Sequence, residues 1–119
     1  MEQSIEEYDF LVIDFEFTTH KSWVGKPRAF FPEVIEVGAV WTAAPEFSLE
    51  KTYQSFFKPR CFPRLTQECK DIAMIRQEDV DGGVDLEEMI AELLKWYRPG
   101  KTFFVEPGSR EMAAFLILS

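Results

Sequence analysis

Asp14 and Glu16 stand two residues apart near the far end of an apolar run, Tyr8-Asp9-Phe10-Leu11-Val12-Ile13-Asp14-Phe15-Glu16-Phe17-Thr18. On a β-strand, side chains two apart point to the same side. The pair would therefore sit side by side with Phe15 turned the other way. Neighbouring carboxylates repel and are costly to bury unpaired, so a divalent cation is their natural partner. Hard oxygen ligands of this kind suit Mg²⁺ or Mn²⁺. A D-x-E spacing alone is also met at strand ends where the acids are simply solvated, so the surrounding chain must decide.

The element that carries the pair reads as a central strand buried on both faces, because the run is short, apolar and β-branched. The segment from Thr19 to Pro32 is a long loop with turn residues, a kind of connection that is often functional. His20, beside the carboxylates, is read as a solvated loop histidine rather than a base or ligand. Phe30 and Phe31 either stack on bases or pack over the sheet. Glu33 to Trp41 is a second strand, interrupted by Glu36, which needs a partner if buried. A turn around Ala44-Pro45-Glu46 leads to a third strand from Lys51 to Lys58, with Tyr53, Ser55 and Phe57 on one face. Three successive strands joined in this way suggest an antiparallel meander.

Pro59 and Pro63 end the third strand. Thr66 caps a short helix with Cys69, Ile72 and Ala73 on its buried side. A break is expected around Asp79-Val80-Asp81-Gly82-Gly83. It is not a calcium loop, since Val84 stands where an EF-hand needs glycine and Ile90 where it needs its closing glutamate. Asp85 and Glu88 form a capping box for a further helix, whose stripe is Leu86, Met89, Ile90, Leu93, Leu94 and Tyr97. Pro99-Gly100 stop it. Gly100-Lys101-Thr102 mimics the end of a phosphate-binding loop, but it follows a helix and precedes a strand, the reverse of the required context. Phe103-Phe104-Val105 is a fourth strand, parallel to the first after the helical crossover. A turn at Pro107-Gly108 and a short helix ending in Ala114 to Leu118 complete the reading.

The totals bound the function classes. A chain of 119 residues is one domain's length, and its 12 Phe and 3 Trp demand a packed interior. A net charge of −8 argues against binding nucleic acid through a broad basic face. It leaves open an acidic pocket neutralised by metal. Lys21, Lys26 and Arg28, and again Lys58, Arg60 and Arg64, read as ordinary surface charge. Cys61 and Cys69 lack C-x-x-C spacing and are expected to be small buried or reduced residues. With His20 the single histidine, a structural zinc site is not expected. The acidic start, Met1 to Glu7, lacks the features of a signal peptide, and no stretch is apolar enough to span a membrane. The expected location is cytoplasmic.

Order and motif together resemble the DnaQ-like (DEDD) 3′–5′ exonucleases of the ribonuclease H-like fold, closest to the KapD-like sporulation-inhibitor branch and the small-RNA-trimming exonucleases. The carrying residues are Asp14-Phe15-Glu16-Phe17-Thr18, Phe30-Phe31-Pro32-Glu33-Val34-Ile35-Glu36-Val37-Gly38, Phe57-Lys58-Pro59, Leu65-Thr66 with Cys69, and Ile75 with Gln77, Val80 and Asp81. The helix through Trp96 follows in place. The similarity runs from Asp9 to about Val105. Met74 departs from it, since the family usually places a turn glycine there. The fold implied is α/β: a mixed sheet with an antiparallel three-strand meander, then helix and parallel strand, incomplete at its C-terminal end.

The resemblance implies hydrolysis of single-stranded DNA or RNA from the 3′ end by two metal ions, Mg²⁺ or Mn²⁺. Asp14 would bridge both ions and Glu16 would hold the one that activates water. Phe17 and Thr18 would receive the terminal nucleotide, with burial the alternative for Phe17. The family also needs an aspartate after the fourth strand, in a W-G-x-x-D-like context, and a later H-x-x-x-x-D. No aspartate follows Asp85 and no histidine follows His20. Glu106 or Glu111 is a substitute ligand at best. The expectation is therefore one exonuclease-like domain over residues 1–119, an N-terminal portion with a divergent, frameshifted or prematurely ended tail at 107–119. The rival expectation is a catalytically dead module that binds nucleic acid or protein. An uncovered sheet face or edge would invite self-association.

Overall fold

The computed structural model describes residues 7–106. The Pro107-Gly108 turn, the helix expected near Ala114 to Leu118 and the candidate ligand Glu111 lie outside the described residues. The elements in chain order are β1 (Asp9–Phe17), β2 (Val34–Ala43), β3 (Lys51–Phe56), α1 (Gln67–Ala73), α2 (Gln77–Asp81), α3 (Leu86–Leu94) and β4 (Thr102–Val105). They build one four-stranded mixed sheet in the order β3-β2-β1-β4. β1 and β4 run parallel, with Asp9 opposite Thr102 and Val12 opposite Val105. This is the expected meander followed by a helical crossover to a parallel strand. No helix of the described residues is long and apolar enough to cross a membrane.

The chain divides into two compact units, and the division falls inside β1, after Asp14. The first unit takes the opening of β1, the second part of β2, most of β3, the end of α3 and β4. Leu11, Ile13, Ala39 and Leu93 are buried in it. Asp9 is fully buried there, and the Arg98 guanidinium meets it through Nε at 2.9 Å and through Nη2. A carboxylate in that position would be costly without a counter-charge. Tyr97 stacks on Phe104 at 5.3 Å, and Phe10 on Phe103 at 6.0 Å.

The second unit, Phe15–Val37 with Ser55–Met89, has its core in Ile35, Leu65, Cys69, Ile75 and Val80, with Phe56 and Ala73 against them. Thr66 caps α1 as expected, its Oγ1 accepting from the Cys69 N–H at 3.1 Å. Ile72, expected in the buried stripe, is instead 59% exposed. In so short a helix, Cys69 and Ala73, four apart, take the core-facing line, and Ile72 falls on its flank. The same geometry exposes Leu94 in α3, where Met89 and Leu93 are the buried pair. The break expected at Asp79 begins later, because Gln77 to Asp81 form α2. Its entry is fixed by Asp79, whose carboxylate accepts from the Arg76 N–H at 3.0 Å. That bond first, and the Arg76 guanidinium second, hold the Asp79 carboxyl below the usual carboxylate range. Asp85 caps α3 by accepting from the Glu88 N–H at 3.0 Å.

Met74 ends α1 in the left-handed region, φ 57° and ψ 42°. This is the position where the resemblance calls for glycine, and the backbone explains the preference. A side chain there costs roughly 1 kcal/mol that glycine avoids. Met74 is 88% exposed, so its side chain contributes little packing. Met74→Gly is therefore expected to raise stability by about 1 kcal/mol, read as a higher midpoint in urea with an unchanged slope.

Candidate active site

β1 presents its two faces unequally, which corrects the expectation of burial on both. Asp9, Leu11, Ile13 and Phe15 are buried, whereas Phe10, Val12 and Glu16 are half-buried and Asp14 is exposed. The strand's alternation puts Asp14 and Glu16 together on the open side and Phe15 on the closed one. An apolar run could not reveal this, because Phe10 and Val12 make both faces look like core. Among the described residues, no group of three or more His, Cys, Asp or Glu side chains is placed to hold a metal ion. Two carboxylates on one accessible face nevertheless match the donor set of a hydrated Mg²⁺, which keeps several waters and takes one or two protein carboxylates with substrate phosphates.

Phe17 leaves β1 on the side of Phe15, opposite the carboxylates, with the two rings 6.2 Å apart. It is half-buried at the strand's last position, and its carbonyl accepts from the Cys69 thiol at 3.9 Å. Thr18 is buried, and its hydroxyl accepts from the Glu33 N–H at 2.8 Å while its own N–H donates to the Glu33 carbonyl at 2.8 Å. These two bonds close the base of the 19–32 loop directly beyond Glu16. The next residue is fixed as well, since the Thr66 hydroxyl donates to the Thr19 carbonyl at 2.9 Å. His20 is half-buried, its Nδ1 3.1 Å from the Ser22 carbonyl, and its ring meets Phe30 edge-on at 5.7 Å.

Glu33 is a residue whose role its sequence position does not disclose. Its carboxylate accepts from three successive backbone N–H groups, those of Arg60 (2.9 Å), Cys61 (3.2 Å) and Phe62 (2.9 Å). The β1–β2 loop and the segment after β3 are thus joined through one side chain. Glu33→Ala is expected to cost about 2 kcal/mol, because charge-assisted bonds disappear and only part of the stranded N–H groups regain water. The measurement is urea unfolding, and Glu33→Gln, which keeps one acceptor, should fall between the two. Gln77 has a similar bracing role, accepting from the Leu65 N–H and donating to the Pro63 carbonyl, both at 2.8 Å.

Of the basic residues, Arg60 is paired with Glu87 at 3.2 Å. Lys58 and Arg64 line a hollow with Pro63, Gln77 and Asp81. Lys26 lies over the rings of Trp23 and Phe30, its Nζ 5.7 and 5.9 Å from their centroids. Cys61 and Cys69 are both free thiols, Cys69 buried and Cys61 exposed, in line with the expectation of buried or reduced residues.

Comparison with known proteins places this geometry. The family model RNase_T, described as Exonuclease, matches residues 11–117. The probable 3′-5′ exonuclease KapD of Bacillus subtilis (strain 168) is 41% identical over 83 residues, covering 70% of this chain and 39% of that protein. The 3′-5′ exoribonuclease 1 of Rattus norvegicus is 27% identical over 116 residues, 92% of this chain and 33% of its own length. The chain thus spans only a third to two-fifths of these relatives. The solved nuclease domain of 3′hExo, a DEDDh family member bound to rAMP, superposes with a TM-score of 0.78 at 24% identity, over 98% of this chain and 60% of that one, and so shares the fold. A 3′-exonuclease solved for its 3′-end specific recognition of histone mRNA stem-loop gives 0.76 at 25% identity, over 97% and 42%. With paired carboxylates on the open side of β1, a mixed sheet shared with nuclease domains, and the exonuclease model matching residues 11–117 of this chain, the chain belongs to the RNase_T exonuclease family.

Proposed function

We propose that the chain contributes the Asp14–Glu16 half of a metal-dependent 3′–5′ exonuclease site acting on single-stranded nucleic acid, RNA or DNA. The observation that carries the reading is the open side of β1, where an exposed Asp14 and a half-buried Glu16 point the same way inside a matched exonuclease sequence. A catalytically dead module would have no need to keep both carboxylates on an accessible face.

Asp14 and Glu16 are the residues that would hold Mg²⁺ or Mn²⁺. Such ions, when bound, lower the pKa of water and stabilise charge on the attacking and leaving oxygens. The chain's own residues have the supporting tasks. Thr18 and Glu33 fix the backbone immediately after Glu16. Phe17, at the strand end, would meet a terminal base beyond the carboxylates rather than among them. The aspartate and histidine of the family's later motifs have no counterpart after Asp85 and His20. The activity of the present chain is therefore expected to be slow and to rise when those groups are supplied in cis.

The test is a 5′-labelled single strand of ten nucleotides incubated with protein in excess and Mn²⁺. The expected product is a ladder shortened one nucleotide at a time from the 3′ end and abolished by EDTA. An intact strand, or internal cuts without a 3′ ladder, would contradict the proposal.

A further inference from the structure

The 19–32 loop has a charge and surface character unlike the rest of the chain. From Phe17 to Pro32 there is no Asp or Glu, although the whole protein has 21 of them, and the stretch holds Lys21, Lys26, Arg28 and His20. Trp23 is 91% exposed and Phe31 48% exposed. Below them, rings are laid in series: His20 against Phe30, Phe30 against Phe62 at 5.3 Å, and Phe62 against Phe31 at 5.4 Å.

The loop is also braced. The Thr18–Glu33 bonds close its base, and Glu68 accepts from the Lys21 N–H. The Ser22 hydroxyl accepts from the Val24 N–H at 3.1 Å, and a turn brings the Lys26 N–H to the Trp23 carbonyl at 3.4 Å. Gly25 supplies the positive φ of 71° that this turn needs. The exposed Trp23 indole, with Lys26 Nζ over its ring, presents an aromatic face beside a cation at the surface of a braced backbone. Cationic side chains interleaved with aromatic faces are what a single strand engages, the bases stacking and the phosphates meeting Lys and Arg. On a protein of net charge −8, such a polyanion needs a local site of this kind. Trp23 follows Glu16 by seven residues, a reach of at most about 25 Å.

We propose that the Trp23–Phe31 loop is a stacking and phosphate-binding platform for the nucleotides just upstream of the 3′ end, selecting single-stranded tails over a lone terminal nucleotide. Trp23 stacks on a base, Phe31 offers a second face, and Lys26 and Arg28 take phosphates. The direction of the strand rests on the 3′-end reading of Asp14 and Glu16; the platform itself does not.

The test is equilibrium binding in EDTA, so that no strand is cut. A fluorescein-labelled ten-nucleotide oligouridylate is followed by anisotropy, and uridine monophosphate is the control. Wild-type tryptophan emission should be quenched by the ten-mer. Trp23→Ala should weaken ten-mer binding by roughly five- to a hundredfold, the range expected when one base–aromatic stack is removed. Trp23→Tyr should retain most of the affinity, and monophosphate binding should be the same in all three proteins. Lys26→Ala with Arg28→Ala should flatten the salt dependence, by about 0.7 in the log–log slope for each phosphate no longer neutralised. Equal ten-mer binding by wild type and Trp23→Ala would overturn the platform and leave the loop to a protein partner. Absence of any ten-mer binding by wild type in EDTA would overturn the platform, while a 3′ ladder under Mn²⁺ would leave the exonuclease reading standing. Ten-mer binding that depends on Trp23, with no 3′ ladder under Mn²⁺, would overturn only the exonuclease reading.

Discussion

Asp14→Ala is expected to lower Mn²⁺-dependent shortening of a single strand by at least about a hundredfold, while leaving the fold intact. Removing only an outer-sphere partner of a metal ligand typically costs about 10–100-fold, and loss of a ligand itself should exceed the upper end of that range. The fold should tolerate the change because Asp14 is exposed, on the open side of β1. Its loss there takes away a charge and leaves no cavity. Glu16→Gln should have a comparable effect on rate, since the amide keeps the size of the side chain but gives up the negative charge that attracts a cation. The check is single-turnover cleavage beside a thermal melt. A variant that melts like wild type but no longer trims isolates the chemistry from folding.

The second large effect is on stability. Gly83→Ala would place a Cβ 2.6 Å from the Phe56 carbonyl oxygen and 2.7 Å from the Phe57 Cα. Both are backbone atoms, so no side chain can swing aside. The approach is close because the Val84 N–H donates to the Phe56 carbonyl at 2.8 Å, and Phe57 and Val84 form a parallel bridge beyond the end of β3. Relief would require breaking that bridge or separating the two segments. The expected cost is about 3 kcal/mol, on the order of 10 °C or more in melting temperature for a chain of this size. Gly82→Ala is the internal comparison. Its added Cβ would lie 3.7 Å from its nearest neighbour, the Glu78 carbonyl oxygen, an ordinary van der Waals separation. A small effect at Gly82 with a large one at Gly83 would locate the constraint at the strand bridge rather than in glycine flexibility.

Much of this architecture is legible in the residues, and the exceptions have physical reasons. The strand that carries Asp14 and Glu16, the Thr66 and Asp85 caps and the parallel return to β4 all leave local signatures, because caps and alternation act within a few residues. The open side of β1 is not local. Phe10 and Val12 are as apolar as Leu11 and Ile13, and only the tertiary fold decides which pair is covered. α2 is hidden in the sequence because its five residues are too few to show a helical period, and Asp79, in the expected break, lies in its first turn and reaches back to the Arg76 N–H. Glu33 gives no local sign either, since the three N–H groups it holds lie 27 to 29 residues downstream. Met74 is the reverse case. The missing glycine is visible in the sequence as a departure from the resemblance, and the left-handed backbone shows why glycine suits that position.

At the candidate site, the carboxylate pair is legible from D-x-E spacing and the surrounding motifs. The side on which Phe17 leaves the strand follows from the same alternation, but its half-burial against Phe15 does not. Thr18 carries a further lesson. A threonine after a catalytic-looking glutamate invites a ligand role, yet its hydroxyl and N–H both engage Glu33. Any bond that Thr18 makes with a nucleotide must be compatible with those two, which also hold the loop that bears Trp23.

The most direct test of the account is a Mn²⁺ titration of the chain itself, followed by electron paramagnetic resonance of the free ion. Wild type is expected to take up at least one more Mn²⁺ than the Asp14→Ala, Glu16→Ala double variant at the same protein concentration, and Mg²⁺ should compete for the difference. Comparison with the double variant removes the background expected from the many other acids. Identical titration curves for the two proteins, both folded by thermal melt, would contradict the assignment of Asp14 and Glu16 as a metal site.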